Sequence, residues 1–145
     1  MQPGKVIECR AIHVPREVVS AWVQRRTQIY LAETYAVLAA LYDHRHDLEG
    51  RGVLVFVDNE AAASSIIRGA PRMEDVGTMV HLIHILAHSY GMRLWVEWID
   101  SESNPSDGLS RDGLRDRWTL QQQWSLAAGD APTLQLLSEA FRPFL

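Results

Sequence analysis

A chain of 145 residues, 47% of them hydrophobic, makes one domain that can bury about two-thirds of its unfolded surface, so no disulfide or metal staple is needed for folding. The single cysteine, Cys9, excludes an internal disulfide, and neither a charged-then-apolar leader nor a span of about 20 apolar residues occurs, which predicts an intracellular protein, cytoplasmic or nuclear, with no membrane partner. A formal charge of −4 and a pI near 5.8 argue against a stand-alone, high-affinity nucleic-acid binder. They leave room for a metal-dependent nuclease, whose clustered carboxylates belong to the negative count.

Taken in order, Lys5 to Val14 reads as a strand, with Val6, Ile7, Ile12 and Val14 ahead of the break at Pro15. A short helical turn over Val18 to Val23 leads to Arg25 and Arg26, a pair that is either a solvated face or a contact to phosphate. Thr27 to Tyr42 is the strongest helix. Ile29, Leu31, Ala32, Tyr35, Ala36, Leu38, Ala39, Ala40 and Tyr42 make it apolar almost all round, as suits packing on a sheet. Glu33 interrupts that surface, and a carboxylate there is costly unless it is paired, bound to a cation or turned outward. His44 and His46 fall in a charged loop whose spacing is too generic for zinc, and Gly50-Arg51-Gly52 turns the chain.

Leu54-Val55-Phe56-Val57 then suits a central strand buried on both faces, ending on Asp58 and opening into a helix over Asn59 to Ile67. Asp58 thus stands at a strand's C-terminal end, the edge where open α/β sheets meet ligands and metals, unless it or Asn59 simply caps the helix. Gly69 and Pro71 stop that helix. A second helix runs from about Met73 to Tyr90 with Val80, Ile83, Leu86 and Ala87 as its inward stripe, and with His81, His84 and His88 along one flank as a weak zinc candidate. After Gly91, Arg93 to Asp100 reads as a strand bearing Trp95 and Trp98. The loop from Ser101 to Arg111 then turns into a helix start and places Asp107 just beyond a strand end. The tail, Trp118 to Leu145, reads as one or two docking helices divided at Gly129-Asp130-Ala131-Pro132.

Glu33, Asp58 and Asp107 stand out by position, each on a different element. Two-metal phosphoryl chemistry asks for carboxylates gathered in this way, since hard divalent cations want several oxygen ligands and a pair of ions needs shared ones.

The order of elements resembles the ribonuclease H domain of retroelement reverse transcriptases: strand, helix with Glu33, strand ending in Asp58-Asn59, helices, the strand Trp95-Val96-Glu97-Trp98-Ile99, then Asn104-Pro105-Ser106-Asp107-Gly108-Leu109-Ser110-Arg111. More narrowly it is similar to the RNase H-like domains of retrotransposon polyproteins, over about Lys5 to Arg111. That resemblance implies an α/β, RNase H-like fold, a mixed central sheet flanked by helices, over residues 1–111, with 112–145 as a C-terminal helical extension packed on the same domain. It implies a hydrolase in which Glu33, Asp58 and Asp107 hold Mg2+ or Mn2+ and cleave the RNA strand of an RNA–DNA hybrid. Arg25, Arg26, Asn59, Arg68 and Arg111 become candidate nucleic-acid contacts, and a reverse transcriptase or polyprotein neighbour a candidate partner.

Departures from the family set up a rival expectation. The family opens with a hairpin whose first strand supplies a fourth metal-binding aspartate, whereas no aspartate precedes Asp43 here, leaving Glu8 as the stand-in. The family's histidine near the last aspartate is not found between Ser101 and Pro105. Without that first strand the sheet is left with bare backbone edges, so new pairing, a strand from a second copy, or a longer parent polyprotein is expected. The rival is therefore a non-catalytic, N-terminally truncated remnant or scaffold, and a different nuclease of the same fold, an integrase or resolvase, is a third possibility.

Overall fold

A computed structural model describes residues 8–11, 14–20, 29–69, 74–104, 115–122 and 125–128. The elements run β1 (Glu8–Ala11), α1 (Arg16–Ser20), α2 (Ile29–Asp43), β2 (Gly52–Val57), α3 (Glu60–Arg68), α4 (Glu74–Ser89), β3 (Arg93–Trp98), a 3₁₀ turn (Ser101–Ser103), α5 (Arg117–Gln121) and β4 (Ser125–Ala128). The chain is α/β.

The core is built by three helices whose buried residues recur at helical spacing. On α2 these include Leu31, Thr34, Tyr35, Leu38 and Leu41, with Val37 and Ala39 buried beside them, and on α4 they are Val76, Met79, Val80, Ile83, Leu86 and Ala87. The two stripes face one another, and α3 adds Ala62, Ala63 and Ile66 beside α2. Thr34 is buried in this apolar setting because its hydroxyl donates to the Tyr30 carbonyl one turn back, 2.9 Å away. The Tyr30 and Ser65 hydroxyls hydrogen-bond to each other and tie α2 to α3.

Two of these helices end where the sequence supplies a left-handed residue. Gly91, at φ 63°, follows α4, with Gly91 N–H bonded to His88 O and Met92 N–H to Ala87 O, the paired bonds of a Schellman cap. Gly69, at φ 73°, closes α3 by bonding to Ser65 O.

Strands β2 and β3 pair in parallel, Gly52 opposite Arg93 through Val57 opposite Trp98, with α3 and α4 forming the crossover between them. Separately β1 pairs in parallel with β4, Glu8 opposite Ser125 through Ala11 opposite Ala128. The described strands therefore form two two-stranded sheets in place of one mixed central sheet.

Further differences from expectation have physical causes. The β2 strand is not buried on both faces. Val53, Val55 and Val57 turn toward the helices, whereas Leu54 and Phe56 remain 57% and 54% exposed, because among the described residues helices pack on one face of the pair. The tail is not wholly helical either, since Ser125–Ala128 is a strand selected by pairing with β1, which no local periodicity announces. Of the expected strand Lys5 to Val14, Glu8–Ala11 is a strand and Val14 lies outside it; of the expected helical turn Val18 to Val23, Val18 to Ser20 fall in α1, and 5–7, 12–13 and 21–23 lie outside the described residues. Among the described residues no helix is long and apolar enough to cross a membrane.

Candidate functional site

Parallel pairing brings the C-terminal ends of β2 and β3 to one edge, and the chain just beyond each strand meets there. Ile99 N–H extends the ladder to Val57 O at 3.0 Å. Asp100 then caps the 3₁₀ turn, its Oδ1 accepting from Ser103 N–H at 2.9 Å, and Asn104 N–H bonds back to Ser101 O. This tight reversal delivers the Asn104 side chain to Asp58, where Nδ2 donates to Oδ2 at 2.9 Å. Both residues are half-buried, so the bond to the carboxylate is partly shielded from water.

Asp58 and Asn59 divide two tasks. Asn59 is the N-cap of α3, with extended backbone at φ −113° and ψ 115° and its Oδ1 accepting from Ala62 N–H at 2.9 Å. Asp58 is not the cap. Its side chain is turned to Asn104 at the sheet edge, beside the N-terminus of α3, whose first turn carries the acidic Glu60.

The remaining candidates are scattered. Glu33 is half-buried on α2, where it engages a neighbouring group, and it lies one turn from Tyr30, which bonds α3. Arg68 is exposed in the last turn of α3, at the far end of the helix from Asp58 and roughly 13 Å along it, where it complements the helix dipole. Asp107, Arg25, Arg26 and Arg111 lie outside the described residues. Glu8 falls on β1, whose strand partner is β4 and not β2, so it does not take the place of a strand beside Asp58.

Three of the histidines make contacts of a different kind. Nε2 of His84 lies 2.7 Å from Ile66 O and joins α4 to α3. The His46 ring meets Tyr90 edge-on, and His44 Nδ1 stands 3.8 Å from Asp47 Oδ2.

A two-metal centre needs several oxygen ligands in one place. Among the described residues no three His, Cys, Asp or Glu side chains converge to hold a metal ion, and one oxygen of Asp58 is engaged by an amide. The described residues do not by themselves compose such a centre. What they do compose is a carboxylate fixed in orientation at a sheet edge, next to a helix N-terminus.

Asn104 is the residue missed as a site component, although it opens the Asn-Pro-Ser-Asp segment. Its signal was an asparagine at the exit of a turn that follows a strand, where such side chains reach across to neighbouring strand ends. No family model, curated protein or solved structure matches this chain.

Proposed function

We propose that the chain is a metal-dependent, ribonuclease H-type endonuclease domain of retroelement origin, acting on the RNA strand of RNA–DNA hybrids with Mg2+ or Mn2+. The observation that supports it best is the Asn104–Asp58 hydrogen bond. It joins the two sequence segments that carry the resemblance, Phe56 to Ala62 and Asn104 to Arg111, although 46 positions separate the bonded residues. Asp107 follows Asn104 by three peptide units, which span at most about 11 Å, so the chain itself limits how far the second aspartate can stand from the first. The parallel β2–α3–α4–β3 crossover is consistent with an RNase H-like fold. Under this reading Glu33, Asp58 and Asp107 are the metal ligands and Asn104 orients Asp58.

A second reading, a non-catalytic scaffold of the same descent, is favoured by one feature. Among the described residues no further strand lies beside β2 to bring another carboxylate to Asp58. Cleavage of a labelled RNA–DNA hybrid with either metal separates the two. The nuclease reading expects hybrid-specific cutting that is lost in Asp58→Asn, Glu33→Gln and Asp107→Asn, each shown to be folded. A folded wild-type chain that never cuts sinks it in favour of the scaffold.

A further inference from the structure

Among the described residues, the edge of β2 that faces away from β3 is unpaired, and its strand carries no charged residue. Arg93 N–H bonds Arg51 O at 2.9 Å and Ile99 N–H bonds Val57 O at 3.0 Å, so the main-chain groups of residues 51, 53, 55 and 57 serve the β3 side. By alternation those of Gly52, Leu54 and Phe56 point to the opposite edge, where among the described residues no strand pairs. The same three residues turn their side-chain positions to the uncovered sheet face. Natural edges are usually blunted by a lysine, a proline or a bulge. The strand Gly-Val-Leu-Val-Phe-Val has none of these.

We propose that this edge is a self-association surface, and that its occupant is β2 of a second copy of this chain, paired antiparallel about a two-fold axis through Leu54. The edge is complementary to itself in that register. Leu54 falls opposite the partner subunit's Leu54, and Phe56 falls opposite the partner subunit's Gly52, so a half-exposed ring lies over a residue with no side chain. Arg51 precedes the strand and Asp58 follows it, so antiparallel pairing sets unlike charges near each other at both ends, whereas parallel pairing would align like with like. Isologous two-fold contact also closes on itself and leaves no further open β2 edge from which a fibre could grow. A six-residue edge is roughly 20 Å long and buries less than a standard interface, so the dimer fraction rises with protein concentration.

The test needs no catalytic activity. Light scattering and sedimentation of the intact chain over a wide concentration range are expected to show mass rising from one to two copies. Leu54→Lys places two like charges on the axis at a side chain that is already exposed, and it is expected to stay monomeric with an unchanged melting temperature. In a Cys9→Ala background, Leu54→Cys is expected to be joined to its copy by a short thiol-reactive cross-linker, and Val55→Cys, which faces the helices, is not. Monomer at every concentration, a dimer that survives Leu54→Lys, or cross-linking that does not distinguish 54 from 55 overturns the proposal. If the monomer instead binds a labelled, extended apolar peptide, and Leu54→Lys abolishes that binding, the edge belongs to a different polypeptide and the self-association is likewise refuted.

Discussion

Replacing Asn104 by alanine removes the side-chain amide that donates to Asp58, and the geometry sets the expected cost. A hydrogen bond to a charged acceptor contributes about 1.5–3 kcal/mol when well shielded. Here both partners are only half-buried, so solvent lowers the contribution to the bottom of that range or just beneath it, and about 1–2 kcal/mol is expected. In a chain of 145 residues that corresponds to a fall in melting temperature of roughly 3–8 °C. Single-mutant loss alone would not prove the contact, because alanine also frees the exit of the 3₁₀ turn. The decisive assay is a double-mutant cycle, Asn104→Ala, Asp58→Ala and the pair, read by denaturant unfolding. A coupling free energy of about 1 kcal/mol is expected. Additive effects, within about 0.3 kcal/mol, would mean that the two segments do not meet in solution and form no joint site.

Other consequences follow from the core, the caps and one buried phenol. Leu38→Ala and Ile83→Ala empty fully buried positions between α2 and α4 and should each cost about 2–5 kcal/mol in denaturant unfolding, whereas Ile67→Ala, at a side chain 62% exposed, should cost far less. Asn59→Ala removes the α3 cap and Gly69→Ala forces a Cβ into left-handed backbone. Each should cost about 1 kcal/mol, and for Gly69 the cost is conformational, since the nearest atom to an added Cβ is His84 Nε2 at an ordinary 3.8 Å. Tyr35 is held protonated to about 12, above the usual 10, by burial first and by the negative charge of Glu17 second. Its folded pKa is raised, so the associated stability is complete below pH 10 and is lost as pH climbs from about 10 to 12, where the unfolded chain has ionised and the folded one has not. The loss is up to about 2 kcal/mol, trimmed from two full pKa units because Glu17 is solvent-exposed. Unfolding midpoints across that window should fall more steeply for the wild type than for Tyr35→Phe, and equal slopes would rule out this role.

What the sequence made legible was whatever local periodicity and capping decide. The stripe Val80, Ile83, Leu86, Ala87 is buried as read, and the change from valine-rich strand to alanine-rich helix at Asp58-Asn59 falls where the residues place it. Long-range partnership was not legible. Leu54 and Phe56 have the composition of a doubly covered strand, but exposure depends on what lies opposite, and among the described residues one face meets helices. Ser125–Ala128 became a strand because β1 offers it a parallel partner more than a hundred residues away in sequence. At the site, Asp58 was legible from its position at the end of an apolar run. Asn104 was readable only as part of a motif, because its contact spans 46 positions and is created by the parallel register of β2 and β3.

The proposed function has the paired segments around Asp58 and Asn104 serve phosphodiester cleavage. Its most direct test is the initial rate of RNA release from a labelled RNA–DNA hybrid with Mg2+ or Mn2+, measured for the wild type, Asp58→Asn and Asn104→Ala at matched folded concentration. A nuclease at this site gives hybrid-specific cutting by the wild type, none above background by Asp58→Asn, and a reduced rate for Asn104→Ala, in which the Asp58 carboxylate is present but no longer held. Cutting by Asp58→Asn equal to that of the wild type, or no cutting by a folded wild-type chain with either metal, would contradict it.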